Sequence, residues 1–436
     1  MMLKTVTLLF WLILATQLST AQTQLSYLEK PKLSGIHIYQ DSISKMYTIV
    51  AGSTELVPSV TLIYQLDSNA NLIAAKQVEP SGKNITSSAS SNRNRTMVTR
   101  SVLNTYGQLT ANLICFDRRL KVQWSTIVES NYITYVNATR IGTLGNTFLV
   151  GNAITAPPLS KNYSFLCKIN PYGEKVWELT DFNNGRGDTL AFWRLAVDNQ
   201  DNTYTIGSIG RKGLLTKVNA EGDTAWQRSV FYRGETRLSS ITASNGFLYV
   251  LGSDEGSTSE AGKVFIAKIT AAGQPVWTPL VSSTANRFLP DDAVIKITKE
   301  GSLVLALSCT DANRQRTWAT IGIDAAGSVV NATNYQNIWY ESFPRDLFLG
   351  NNAAFAGIGI VAALKEPTKY PFFFKSTSID ILDGKCCFAP FTINQKSVTL
   401  EFKPVSIDFV NNVIINFTDF PVVTKDDDGV MKRLKE

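Results

Sequence analysis

Thr216-Lys-Val-Asn-Ala-Glu-Gly-Asp-Thr-Ala-Trp226 reads as the end of one β-strand, a tight reversal and the start of the next. Asn219 suits the first position of the turn, and Gly222, three residues on, supplies the positive φ that the reversal needs. Cys167-Lys-Ile-Asn-Pro-Tyr-Gly-Glu-Lys-Val-Trp177 and Ala267-Lys-Ile-Thr-Ala-Ala-Gly-Gln-Pro-Val-Trp277 repeat the same plan without gaps. In all three, Lys, an aliphatic residue, Asn or Thr, glycine (Gly173, Gly222, Gly273) and tryptophan (Trp177, Trp226, Trp277) keep the same offsets. Weaker copies flank them. Ile321-Gly-Ile-Asp-Ala-Ala-Gly327 keeps the turn but has Asn331 where tryptophan would fall, and Cys115-Phe-Asp117 keeps Trp124 but has Leu120 in place of glycine. Tyr64-Gln-Leu-Asp67 keeps only the strand and the turn opening. The turn-opening positions 67, 117, 170, 219, 270 and 324 define a period of about 50 residues, the mark of a repeat architecture.

Each unit carries a second hairpin upstream of the first. In Leu195 to Gly207 an Asn/Asp-rich turn separates two β-rich runs, and Ile241 to Gly252, Val294 to Ser308 and Leu347 to Gly357 follow the same plan. Four strands per unit with no helical periodicity predict an all-β chain folded as a β-propeller of about seven four-stranded blades over residues 34–382, the last blade using Phe372 to Lys375 in its third strand. Radial closure hides most sheet edges. A tryptophan at one offset in successive sheets is expected to wedge between neighbouring blades, which makes Trp124, Trp177, Trp226 and Trp277, with Gly173, Gly222, Gly273 and Gly327, structural repeat residues.

The strand-turn-Gly-x-x-x-Trp unit resembles the tryptophan-docking repeat of the quinoprotein-like propeller superfamily, which also contains a propeller lipoprotein of bacterial outer-membrane assembly. It is similar too to the loosely repeated secreted propellers of surface-rich bacteria. The resemblance spans residues 34–382 and is sharp in the three blades ending at Trp177, Trp226 and Trp277. It implies a fold, while activity has to be argued from a site.

The ends read differently. Lys4 followed by the apolar run Val6 to Ala15, with Ser19 and Ala21 at the small-residue positions, predicts a signal peptide over residues 1–21 and a mature chain from about Gln22 without a transmembrane segment. Residues 22–33 form an N-terminal arm. Past Leu382 the repeat breaks: residues 383–424 read as a C-terminal β extension, whether a small appendage, a strand closing the ring or an irregular eighth blade. The charged tail 425–436 is expected to be disordered. A net charge of +6, from 42 basic and 36 acidic residues spread along the chain, gives no basic stripe and argues against nucleic acid as a partner.

Five cysteines are too few to hold a chain of 436 residues together. Cys115 and Cys167 read as small buried hydrophobes, and Cys386, Cys387 and Cys309 are the disulfide candidates. The resemblance raises one enzymatic possibility, since some quinoprotein dehydrogenases place a vicinal disulfide against their quinone, and Cys386-Cys387 is such a pair. It lies after the last recognisable blade, without a basic and carboxylate cluster to hold quinone and calcium. The single histidine, His37, sits in the alternating run Gly35 to Tyr39 and reads as a surface strand residue, which leaves a Ser-His-Asp hydrolase without support. Zinc ligands at short spacing are absent. Asp198 to Asn202 and Asp426 to Gly429 read as turn and solvated surface rather than calcium loops. The Ser/Asn-rich stretch bearing Arg93, Arg95 and Arg100 reads as a long loop between the first two blades, the first candidate for a partner contact.

No catalytic, cofactor or metal residue is assigned and no cofactor is expected. The expectation is an exported, monomeric, non-enzymatic propeller, periplasmic, cell-surface or secreted, binding a protein or polysaccharide as a module or scaffold. The other class is an exported lyase, glycosidase or quinone-dependent enzyme with its site in the central channel, which two facing carboxylates on the axis would favour.

Overall fold

The computed structural model describes the chain from Gln24 to Arg433 apart from segments between strands, the longest being 155–161, 181–189, 255–261, 377–387 and 405–415. Every regular element among the described residues is a β-strand. Six sheets are each built on four strands that follow one another along the chain. The first uses Ser34–Gln40, Tyr47–Gly52, Thr61–Leu66 and Leu72–Val78, and the second Lys83–Ser91, Arg95–Leu103, Leu109–Asp117 and Val122–Glu129. Ile133–Ile141, Thr147–Ile154, Asn162–Ile169 and Lys175–Thr180 make the third; Leu190–Val197, Thr203–Ile209, Lys212–Val218 and Thr224–Phe231 make the fourth. The fifth is Thr236–Ser244, Phe247–Asp254, Val264–Thr270 and Pro279–Ser283, and the sixth Arg287–Ile297, Leu303–Thr310, Arg316–Ile323 and Val329–Tyr335.

The first strand of each sheet packs against the first strand of the next, and Tyr340–Leu349 of the remaining sheet packs against both Arg287–Ile297 and Ser34–Gln40. The inner strands therefore close a circle, and the chain folds as a β-propeller. One expectation is corrected. Among the described residues six blades, not about seven, are four-stranded units of contiguous chain; the unit after Tyr335 supplies three strands, Tyr340–Leu349, Phe355–Ala363 and Lys369–Ser376, and pairs with Gln24–Leu28 from the N-terminal arm. Gln24 pairs with Lys375 and Tyr27 with Phe372, antiparallel. The arm is thus part of the propeller, because the open edge of Lys369–Ser376 offers it backbone partners that a free segment lacks.

The C-terminal segment is neither an appendage nor an extra blade. It is cut into short strands, each added to the outer edge of a different sheet: Phe388–Pro390 to the sixth, Ile393–Ser397 to the fifth, Glu401–Pro404 to the fourth, Asn416–Asp419 to the second, Thr424–Asp426 to the first and Met431–Arg433 to the sheet holding Gln24–Leu28. The chain thus travels back round the ring as a belt, opposite to the order in which the blades were laid down. The tail beyond 425, expected to be disordered, supplies the last two of these strands, Ser26 facing Arg433 across the pair.

Between blades the repeated tryptophans dock. Trp124, Trp177, Trp226 and Trp277 donate their indole N–H to the main-chain carbonyls of Pro171, Ala220, Ala271 and Ala325, in the turn of the following sheet, at 3.0, 3.0, 3.0 and 3.2 Å. Gly173, Gly222, Gly273 and Gly327 stand in those turns at φ +95°, +103°, +80° and +93°, and a Cβ on any of them would meet the docked indole at 2.9 to 3.3 Å. One residue pair thus encodes both the turn and the blade contact. Lys168 Nζ reaches the same Ala220 carbonyl at 2.9 Å, which accounts for the lysine of the repeat. The tryptophans are half-buried rather than enclosed. Where the repeat departs, the volumes trade places: the first sheet has Ala74 at the tryptophan offset, and the turn of the second has Leu120, left-handed at φ 57° and buried in the same apolar cluster as Ala74.

Candidate functional site

Each inner strand is interrupted at its middle. Register shifts leave one extra residue in six of them, Ile36, Ser87, Asn137, Trp193, Ser239 and Arg345, while the sixth sheet's inner strand gains a wider irregularity between Leu289 and Val294. Bulges bend a strand and re-aim its side chains. The second strands accommodate them with glycine: a Cβ on Gly151, Gly207 or Gly252 would meet the carbonyl of Tyr135, Ala191 or Arg237. Bulge residues also tie the circle together, Asn137 Nδ2 donating to the Phe192 carbonyl at 2.7 Å and Trp193 Nε1 to the Leu238 carbonyl. Thr139 N–H and Ile141 N–H donate to Ser88 Oγ and Ser90 Oγ of the neighbouring inner strand at 3.0 and 3.1 Å.

These strands enclose a cavity of about 290 Å³ on the axis, lined from the inner strands of all seven sheets. Its described charged residues are Arg140, Arg194, Lys296, Arg345 and Asp346, with His37 beside them. Asp346 organises one wall. Its Oδ2 accepts from His37 Nδ1 at 2.6 Å and from the Ile38 N–H at 3.1 Å; its Oδ1 takes Lys296 Nζ at 2.9 Å and the Leu347 N–H at 2.9 Å. Burial alone would push the Asp346 carboxyl up, but Lys296, His37 and the Ile38 N–H outweigh it and hold the group well below the usual carboxylate range. Burial lowers the His37 pKa against the pull of Asp346, so the imidazole is neutral and gives its Nδ1 proton to the carboxylate. Burial likewise lowers the Arg140 pKa, opposed by the charge of Asp346, and Arg140 Nη1 donates to the Thr139 carbonyl at 2.9 Å.

His37 is therefore misplaced by its sequence pattern: it lines the axis, its side chain only 12% exposed. The apolar alternation round it marks a strand and does not say that the strand is innermost. The aliphatic-Gly pairs Val150-Gly151, Ile206-Gly207 and Leu251-Gly252, which face the bulges, are the signal that identifies the inner strands beside them.

The other candidates fall elsewhere. The stretch bearing Arg93, Arg95 and Arg100 is a hairpin between Lys83–Ser91 and Arg95–Leu103, not a loop, because small hydroxyl residues fit the crowded inner strand. Arg100 is buried inside that sheet, where desolvation brings its pKa down to about 10. Asp198 spends both oxygens on its own turn, accepting from the N–H groups of Gln200 and Asn202, from Asn202 Nδ2 and from Tyr204 Oη. Cys115 and Cys167 are buried free thiols, as expected. Cys309 is also a buried free thiol, 3.1 Å from Thr317 Oγ1; Cys386 and Cys387 lie outside the described residues. Among the described residues no group of three His, Cys, Asp or Glu gathers as metal ligands, and no helix is long and apolar enough to cross a membrane.

No family model matches the chain, and no curated protein does. Similar chains of low identity are found among solved structures. A protein from Lactobacillus plantarum is 14% identical, with a TM-score of 0.43 over 88% of this chain and 100% of that one. Prolyl oligopeptidase B from Galerina marginata is 11% identical, at 0.43 over 76% and 47%. A subtype N10 neuraminidase-like protein of A/little yellow-shouldered bat/Guatemala is 9% identical, at 0.39 over 81% and 97%.

Proposed function

We propose that the protein is an exported, non-enzymatic propeller, of the quinoprotein-like kind, that works as a binding or scaffold module at the cell envelope or outside the cell. The axial wall carries this reading. Acid-base catalysis in a propeller channel needs a group that exchanges a proton near neutral pH, usually one of two facing carboxylates. Here the described lining holds one carboxylate, Asp346, clamped in its ionised form by Lys296, His37 and two backbone N–H groups. A carboxylate in that state orients and attracts; it does not protonate a leaving group. The docked Trp-Gly pairs support the superfamily resemblance. The leader pattern from Lys4 to Ala21 supports export.

Expression in a bacterial host followed by fractionation and N-terminal mass analysis tests export: a mature chain starting at about Gln22 outside the cytoplasm is expected, and an uncleaved cytoplasmic chain contradicts it. Cross-linked capture from the cell envelope is expected to recover a protein or polysaccharide. Release of reducing ends or unsaturated products from a polysaccharide panel would instead establish the channel enzyme.

A further inference from the structure

The lysine of the repeat meets different surroundings at two successive seams between blades. Where the third sheet packs on the fourth, Lys168 Nζ lies 5.5 Å over the Phe148 ring, donates to the Ala220 carbonyl at 2.9 Å and stands 4.0 Å from Asp201 Oδ2. Asp201 belongs to the five-residue turn 198–202 that joins the first two strands of the fourth sheet, and it is buried. Its Oδ2 also accepts from Asn146 Nδ2 at 2.6 Å. The protein thus seats one of its own carboxylates beside this lysine.

One seam further round, Lys217 takes the place of Lys168 and Tyr204 that of Phe148, again with Nζ 5.5 Å over the ring. The Ala271 carbonyl is 3.4 Å away, a long contact for a charged donor. The acid is replaced by space. The first hairpin of the fifth sheet turns in two residues, Asn245 and Gly246, where the fourth sheet uses five, so no residue stands where Asp201 does. A pocket of about 330 Å³ opens there, with Asn199 and Gln200 on one side, Ser244 and Asn245 on the other, and Lys217 and Tyr204 in its lining. Asp198 borders it too, but its oxygens are taken up by Gln200, Asn202 and Tyr204, and Lys217 has no ion pair among the described residues. Half-buried, the Lys217 ammonium is screened less by water than a surface lysine and gains more from a carboxylate.

Resting on the reading of this protein as a binding module, we propose that the pocket between the fourth and fifth sheets receives an aspartate or glutamate side chain from a turn of a partner protein, seated at Lys217 as Asp201 is seated at Lys168. The protein's own turn is the pattern for that ligand: Asp201 reaches the lysine from a left-handed residue, φ 61°, in a short turn, which favours a protein turn over a sugar acid. The amides of Asn199, Gln200 and Asn245 offer donors and acceptors to the backbone of such a turn.

NMR titration of the full mature protein, carrying 13C at the lysine Cε atoms, tests this with three probes: a cyclic peptide containing Asp-Asn-Gln-Asp-Asn, the sequence of residues 198–202, the same peptide with asparagine for its second aspartate, and tri-D-galacturonate. The Lys217 signal, identified by its absence in Lys217→Gln, is expected to shift saturably with the first peptide and to respond about tenfold more weakly to the second. Read from the broadening of the peptide's own lines, Lys217→Gln is expected to weaken binding about tenfold, while Lys217→Arg keeps it within about threefold. Lys212→Gln, at the other end of the same strand, leaves it unchanged, and sodium chloride weakens it. Should Lys217→Gln fail to fold, the comparison of the two peptides on Lys217→Arg and the wild type still decides. A silent Lys217, equal binding of the two peptides, or binding untouched by Lys217→Gln overturns the proposal, and tighter binding of the galacturonate at Lys217 overturns the protein partner. An envelope partner captured equally by the wild type and Lys217→Gln refutes this seam as the site and leaves the binding module standing. Peptide binding at Lys217 by a protein that also cleaves a polysaccharide keeps the site and refutes the non-enzymatic reading.

Discussion

Gly222 and Trp177 belong to different sheets and make one structural unit. At φ +103° Gly222 turns the chain where an L side chain is strained, and its missing Cβ leaves the surface on which the Trp177 indole lies. Trp177→Ala removes a half-buried indole and its hydrogen bond to the Ala220 carbonyl, and is expected to cost about 2–3 kcal/mol in denaturant unfolding, below the full range for an enclosed tryptophan. Gly222→Ala is expected to cost about 1–3 kcal/mol, part of it strain at positive φ and part the clash with the indole. In the Trp177→Ala background the clash is gone, so Gly222→Ala should cost measurably less; strict additivity would separate the two residues. The axial pair makes a second prediction at this scale. Both His37 and Asp346 have folded-state pKa values below their usual ones, so the unfolded chain binds more protons and stability falls as pH falls. The loss begins below about pH 6.5 through His37 and continues below about pH 4 through Asp346. His37→Gln is expected to flatten the melting temperature between pH 7 and pH 5, with Lys296 and Arg140 unchanged as neighbours; an unaltered slope there assigns the effect elsewhere.

Among elements, the hairpins were legible because their turns are written in residue chemistry. Asp67, Asp117, Asn170 and Asp324 each place a side-chain oxygen on backbone N–H groups two and four residues on, which is why the period shows without any structure. The inner strand Lys83–Ser91 was not legible: its Ser and Thr residues look like a loop until Ser88 and Ser90 are seen to accept backbone N–H groups from the next inner strand. His37 and Asp346 lie far apart in sequence and meet only because the last blade closes on the first, so no local pattern could pair them. The belt strands are three to five residues long and gain partners only from edges already built, which hides them from any reading of periodicity. Ending the chain at Leu382 would bare the outer edges of six sheets at once. Its melting temperature is expected to drop by on the order of 10 °C, with aggregation through the exposed strands, whereas a dispensable extension would leave melting unchanged.

For the whole molecule, closure is what ties fold to site. The inner strands form a circle, their bulges turn charged side chains to the axis, and the core lies between successive sheets rather than within any one of them. A cavity built from seven separated parts of the chain exists only while the ring is shut. The ring is shut at Gln24–Leu28 against Lys369–Ser376 and clasped by the returning C-terminal strands. Hydrogen exchange read by mass spectrometry examines that closure directly. Slow exchange in Gln24–Leu28, Ile393–Ser397 and Glu401–Pro404, comparable with that of the outer blade strands they join, is the predicted result. Exchange at free-chain rates in these segments, with the blades themselves protected, would contradict a ring closed and belted by its own two ends.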